Sequence, residues 1–174
     1  MYSRKGIENM QTITKTFNIY NFDELSPVIQ EELIKKEEEN IRQTDIECFL
    51  EEEMSNLAEL LLEENFGEKA IFKKVYYDLG YCQGDGAMIE FNLNYCGKDV
   101  AIRHNYYCHY YHERSFEIIS DNLTEKQESK LKEKIIKINE QLTKYGYQYI
   151  EEDRTEQAIE QLKDCMFYEN GDIY

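Results

Sequence analysis

Hydrophobic positions change their period several times along the chain, and each change predicts an element. "TITKTFNIY", Thr12–Tyr20, sets Ile13 among polar neighbours and then alternates Phe17 with Ile19, which predicts a first strand. "LSPVIQEELIKKEEENI" switches to helical spacing. Ser26 is the expected N-cap, and Pro27 takes the first helical position, where its missing N–H costs nothing. Ile29, Leu33 and Ile41 keep one face apolar, while Glu31, Glu32, Glu37, Glu38 and Glu39 are expected to face water. A second helix is predicted from about Asp45 to Asn65, with Ile46, Phe49, Leu50, Leu57, Leu60 and Leu61 on its buried stripe and Gly67 as its stop.

A period of two then returns. Val75, Tyr77, Leu79 and Tyr81 share one strand face, and Ala87, Ile89, Phe91 and Leu93 share one face of the partner strand. Between them Gln83, Gly84, Asp85 and Gly86 contain the Asp-Gly pair that tolerates positive φ in tight hairpins. Gly97-Lys98 offers a second turn, Val100 and Ile102 a third strand, and "SFEIIS" a fourth. A long helix follows from about Glu125 to Tyr145, opened by Asn122 or Thr124, with Leu131, Ile135, Ile138 and Leu142 at spacings of three and four. The tail predicts a short strand at "YQYI", a helix from about Thr155 to Leu162 and a turn at Asn170-Gly171. The expected fold is α+β: an antiparallel sheet of four to six strands, apolar on one face, with helices packed mainly on that face.

Composition adds limits. The 174 residues are 41% hydrophobic and 32% charged, which suits a folded chain. A single proline and the lack of a Gly/Ser-rich linker predict one domain over residues 1–174. No apolar run approaches the roughly 20 residues of a membrane span, and the first ten residues lack a secretion signal's apolar centre, so a cytoplasmic protein away from membranes is expected. Five cysteines without a CxxC pair fit reduced thiols better than a disulfide framework.

Charge is unevenly placed. Of the net −16, Asn21–Glu68 carries sixteen acids against three bases, and Glu151–Tyr174 eight acids against two. Lys69–Ile150 is nearly balanced, with eleven acids and twelve bases. Such acidity repels nucleic acid and attracts basic protein surfaces, so no direct nucleic-acid binding is expected.

Candidate chemistry is sparse. A glycine-rich nest binds phosphate when it opens a helix, whereas "QGDG" precedes a strand and lacks the lysine of a P-loop. His104, His109 and His112 lie near Cys96 and Cys108, which supplies zinc-ligand types. On a strand, alternation would put Cys108 and His112 on one face and His109 on the other, in no recognised zinc spacing. The same alternation points Cys108 away from His109, so no nucleophile pair emerges. No metal, cofactor or catalytic residue is expected, and the chain is read as a protein other than an enzyme.

The stretch "DLGYCQGDGAMIEF" resembles the "SLSYSQGDGASF" signature of small proteins encoded by bacteriophages and prophages, most of them uncharacterised. "YNFDELSPVIQEELI" is similar to that family's opening before its first helix, and the closing "YGYQYIEEDRTEQAIEQLKDCMFYENGDIY" to its final pattern. Gln83, Gly84, Asp85 and Gly86 match the signature, while Asp78, Gly80 and Cys82 stand where the family has serines.

The resemblance implies a phage origin. Together with the acidic segment it suggests an inhibitor of a host defence nuclease such as a CRISPR effector, acting through an acidic helical surface in the manner of anti-CRISPR proteins that imitate DNA. Its partner-binding residues would be Glu37, Glu38, Glu39, Glu51, Glu52 and Glu53, with Tyr106 and Tyr110 as apolar anchors. The alternative is a small ligand- or metal-binding module that uses the Gln83–Gly86 turn and the His/Cys-rich strand. The oligomeric state is left open.

Overall fold

The computed structural model describes residues 16–174 other than 106. The fold is α+β. Its elements run β1 (Tyr20–Asn21), α1 (Pro27–Cys48), α2 (Leu50–Phe66), β2 (Ala70–Asp78), β3 (Gly86–Tyr95), β4 (Lys98–His104), β5 (Phe116–Ile119), α3 (Glu125–Ile150), α4 (Thr155–Lys163) and β6 (Met166–Phe167). The chain divides into two compact units. One comprises the described residues up to Glu39 together with Thr155–Tyr174, the other Asn40–Arg154. No helix among the described residues is long and apolar enough to cross a membrane.

In the larger unit β2, β3, β4 and β5 form an antiparallel meander in that order. Ala87, Ile89, Phe91 and Leu93 of β3 are all buried, as alternation requires when one sheet face is covered. The cover is helical: α2 packs on β2, α3 on β3, and the two helices on each other. Leu131, Ile135, Ile138 and Leu142 of α3 are fully buried, and Leu50, Met54, Ala58, Leu61 and Leu62 of α2 close the same core. Each of these leucine, isoleucine and methionine side chains stabilises the fold by about 1.5–3 kcal/mol relative to exposure. Thr124 caps α3, its hydroxyl accepting from the Gln127 N–H while the Gln127 side chain accepts from the Thr124 N–H, a reciprocal box.

The smaller unit pairs β1 with β6, Tyr20 opposite Phe167. Its core is Phe22, Leu25, Leu162 and Phe167, with Ile29 and Leu33 of α1 packed against it. Pro27 opens α1 after Ser26, as the sequence implies, and the Ser26 carbonyl accepts the first helical bond from the Gln30 N–H.

Several expectations are corrected. Of the strand expected over Thr12–Tyr20, residues 12–15 lie outside the described residues, residues 16–19 are not in a strand, and pairing begins only at Tyr20. The boundary between the first two helices falls at Phe49, not before Asp45, because nothing between Ile41 and Asp45 breaks a helix. Backbone bonds run through the junction, from the Phe49 N–H to the Asp45 carbonyl and from the Glu53 N–H to the Phe49 carbonyl. Phe49 and Leu60, expected to be buried, are 50% and 56% exposed; Met54, Ala58 and Leu62 take the inner positions instead.

β2 stops at Asp78, so Leu79 and Tyr81 belong to a loop. The turn between β3 and β4 is Cys96-Gly97, not Gly97-Lys98, and both residues have positive φ, the requirement of a two-residue primed turn. "YQYI" is the last turn of α3, not a strand. Gly146 does not end that helix; it makes room for Leu79, whose Cδ1 would lie 2.6 Å from a Cβ there. Arg154, itself buried, then closes the C-terminus by donating to the Tyr149 carbonyl at 3.0 Å and the Glu152 carbonyl at 2.8 Å, while its Nε meets Asp45 at 2.7 Å.

Candidate functional site

The surface of α2 is the first candidate. Leu50–Phe66 contains six glutamates and no basic residue. Glu51, Glu52, Glu59, Glu63 and Glu64 are exposed, and among the described residues none of the five is in an ion pair. Steps of three and four carry Phe49, Glu52, Asn56, Leu60 and Glu63 along one line, which rises about 1.5 Å per residue. Two large apolar side chains, Phe49 and Leu60, therefore stand exposed on the same line as Glu52 and Glu63.

Glu51, Glu52 and Glu53 do not share one face, because successive helical residues point about 100° apart. Glu53 turns inward: it is half-buried and accepts from the Tyr145 hydroxyl at 3.1 Å. Burial first, and then this bond, push the Tyr145 phenol above its ordinary range. Burial, followed by the charge of Glu51, does the same to Tyr77.

Glu37, Glu38 and Glu39 lie on α1 in the other unit, and the expectation that all three face water is corrected. Glu37 and Glu38 are half-buried, and Glu38 accepts from the Thr155 hydroxyl. Only Glu39 is exposed. The reason is again angular: three consecutive helical positions span about 200° and cannot all avoid a packed neighbour.

The second candidate is the loop pair around "QGDG". The last pair of β2 and β3 is Asp78 with Gly86, so the connection is Leu79–Asp85 and not a tight two-residue hairpin. Asp85 closes it, its carboxylate accepting from the Cys82 N–H and its own N–H donating to the Cys82 carbonyl at 3.2 Å. Gly84 has φ of 99°, and a Cβ there would lie 2.9 Å from the ring of Tyr110. At Gly86 a Cβ would come 3.1 Å from the His112 backbone. The two glycines are thus required by the close approach of the 105–115 loop.

This brings together two sets of residues that the sequence left apart, since Tyr110 lies against the Gly84 backbone. Tyr106 lies outside the described residues. Gln83 is exposed, and its side chain makes no hydrogen bond among the described residues.

α3 fastens the start of β3 and the 105–115 loop through residues that local hydrophobic spacing did not mark. Asn139, fully buried, donates from Nδ2 to the Glu113 carbonyl at 3.1 Å and accepts at Oδ1 from the Ile89 N–H at 3.2 Å. Thr143, one turn on, accepts from the Ala87 N–H at 2.8 Å. A polar pair at i and i+4 inside the stripe of Ile135, Ile138 and Leu142 was the available signal. On the opposite sheet face Tyr111 stacks on Tyr76 with centroids 5.3 Å apart. Tyr81 is held by its hydroxyl, which donates to Glu151 at 2.7 Å; that bond first, then burial, raises its phenol above the ordinary value.

The His/Cys segment is a loop between β4 and β5, so the strand alternation expected for Cys108, His109 and His112 does not apply. Cys108 Sγ lies 3.9 Å from His112 Nε2. Nδ1 of that ring accepts from the Arg114 N–H at 3.1 Å, which leaves the proton of the neutral ring on Nε2. The imidazole therefore faces the thiol as a donor and not as a base. Among the described residues no three His, Cys, Asp or Glu side chains gather in metal-holding geometry.

These loops are a packed clasp, whereas the α2 stripe is exposed and its glutamates make no ion pair among the described residues. No family model, curated protein or solved structure matches the chain.

Proposed function

We propose that the protein is an inhibitor that occupies a basic, nucleic-acid-binding groove of another protein with the outward face of α2, and that its partner is a host defence nuclease of the CRISPR-effector kind. One observation carries the reading: α2 holds six glutamates without a basic residue, five of them exposed and outside any ion pair among the described residues, with Phe49 and Leu60 exposed along the same stripe. Carboxylates three and four positions apart lie about 5–6 Å from each other, a spacing that lysines and arginines lined up for phosphates can meet. Leu60 and Phe49 supply the desolvated contacts that usually carry interface energy. The resemblance to phage proteins supports a partner in the host.

A guide-directed DNA cleavage assay tests this with purified CRISPR effectors, each incubated with the protein before DNA is added. At least one effector should be inhibited by the unmodified chain and not by Glu52→Lys/Glu59→Lys/Glu63→Lys. Equal inhibition by both would remove α2 from the mechanism, and no inhibition of any effector would remove that partner class.

A further inference from the structure

We propose that the cleft between residues 16–18 and the final turn of the smaller unit is a binding site for the guanidinium group of an arginine side chain on a partner protein. This does not rest on the α2 reading, because every residue involved belongs to the other unit. The cleft is about 650 Å³ in volume and is lined by Phe17, Asn18, Tyr168, Glu169, Asn170 and Asp172, with Thr16 at its margin. Among the described residues of the lining there is no lysine or arginine beside its two carboxylates.

Aromatic surface and negative charge coincide here. Phe17 meets Tyr168 edge to face, with centroids 5.5 Å apart and ring planes at 69°. The two rings meet at an angle and do not stack, and Phe17 is 59% exposed. A cation over a ring face within about 6 Å is attracted by the ring quadrupole, and arginine is the commoner partner. Its planar fork also matches a carboxylate, which an ammonium ion does less well.

The site is preorganised. The Tyr168 N–H donates to the Asp172 carbonyl at 2.8 Å, and the Gly171 N–H to the Tyr168 carbonyl at 2.9 Å, which fixes the turn. Asn170 Nδ2 donates to one carboxylate oxygen of Asp172 at 2.7 Å, leaving the second oxygen for a ligand. An open cleft of this kind suits one side chain within a larger interface, so a lone guanidinium should bind weakly.

The test is an NMR titration of the full chain with L-arginine amide, compared with L-citrulline amide, which has nearly the same shape and no side-chain charge. Arginine amide should give saturable shifts at the Phe17 and Tyr168 rings and the Asn170 and Asp172 amides, with a Kd on the order of millimolar. Citrulline amide should not. Phe17→Leu and Glu169→Gln should each weaken binding by roughly threefold to fivefold, with amide shifts elsewhere unchanged to show an intact fold. Unsaturated shifts, equal shifts with citrulline amide, or unchanged affinity in both variants would overturn the proposal.

Discussion

α2 and α3 cover the same face of the same sheet and answer the same physical demand, yet their outer surfaces differ. Each buries an apolar stripe: Leu50, Met54, Ala58, Leu61 and Leu62 on one, Leu131, Ile135, Ile138 and Leu142 on the other. α3 mixes four acids with six bases over 26 residues, the pattern of an ordinary solvated face. α2 has six acids and no base, and no basic residue in its last turn. Glu51, Glu52 and Glu53 in its first turn suit the helix dipole, but Glu63 and Glu64 oppose it at the other end. Glu59 and Glu63 repel at i,i+4 by a few tenths of a kcal/mol. Burial explains what the helices share. It does not explain five exposed glutamates outside any ion pair among the described residues with two large apolar side chains standing among them, which the proposed partner binding would.

The largest effects should strike both helices alike. Ile135→Ala and Met54→Ala each remove a fully buried side chain and should destabilise the fold by about 2–5 kcal/mol, read as a shift in denaturant midpoint. A small loss at Met54 would mean that α2 is not an equal part of the core, and the comparison would lose its basis. Next comes Asn139→Ala, which leaves the Ile89 N–H and Glu113 carbonyl without their buried partner and should cost about 1–3 kcal/mol. A loss no greater than that of an exposed α3 substitution would show that Asn139 does not fasten the 105–115 loop to β3.

Alkaline pH offers a finer measure. The phenols of Tyr77, Tyr145, Tyr147 and Tyr149 are raised, each chiefly by burial, so the folded state favours their neutral form. A folded pKa above the unfolded value of about 10 gives stability that is fully present below pH 10 and is lost as pH rises through the folded values. Chemical denaturation from pH 8 to 11 should show a plateau and then a decline. Glu53→Gln should soften the decline, because it removes a negative charge beside Tyr145. Stability rising above pH 10 would contradict the packing of these rings.

Much of the scaffold was legible because period and burial coincide: α3's stripe, the buried face of β3 and the Pro27 helix start follow from local spacing. What the sequence hid depends on which side of an element meets another. Phe49 and Leu60 look like core residues by spacing alone, and only the placement of α2 on β2 shows that Met54, Ala58 and Leu62 face inward. Glu37, Glu38, Glu39, Glu51, Glu52 and Glu53 read as acidic runs, but a run on a helix is spread around it, so Glu53 reaches Tyr145 and Glu38 reaches Thr155. "QGDG" read as a tight turn because Asp-Gly is a turn pair. The approach of Tyr110 and His112 to Gly84 and Gly86 spans more than twenty residues and leaves no local mark.

The smallest stability effect should accompany a large loss of binding. Leu60→Ala should change stability by no more than about 0.5 kcal/mol, since Leu60 is mostly exposed, while weakening partner binding by about tenfold or more. Loss of stability without loss of binding would make Leu60 an ordinary packing residue.

The most direct test is the affinity for an inhibited effector at several salt concentrations, measured for the unmodified chain and for Glu52→Lys/Glu59→Lys/Glu63→Lys, with circular dichroism confirming the fold of both. The unmodified chain should bind and weaken steeply as salt rises through the physiological range, where exposed charges are screened over about 8 Å. The reversed variant should stay folded and lose binding by at least about a hundredfold. Equal affinities with a flat salt response would make the α2 surface an ordinary solvated face and contradict the account.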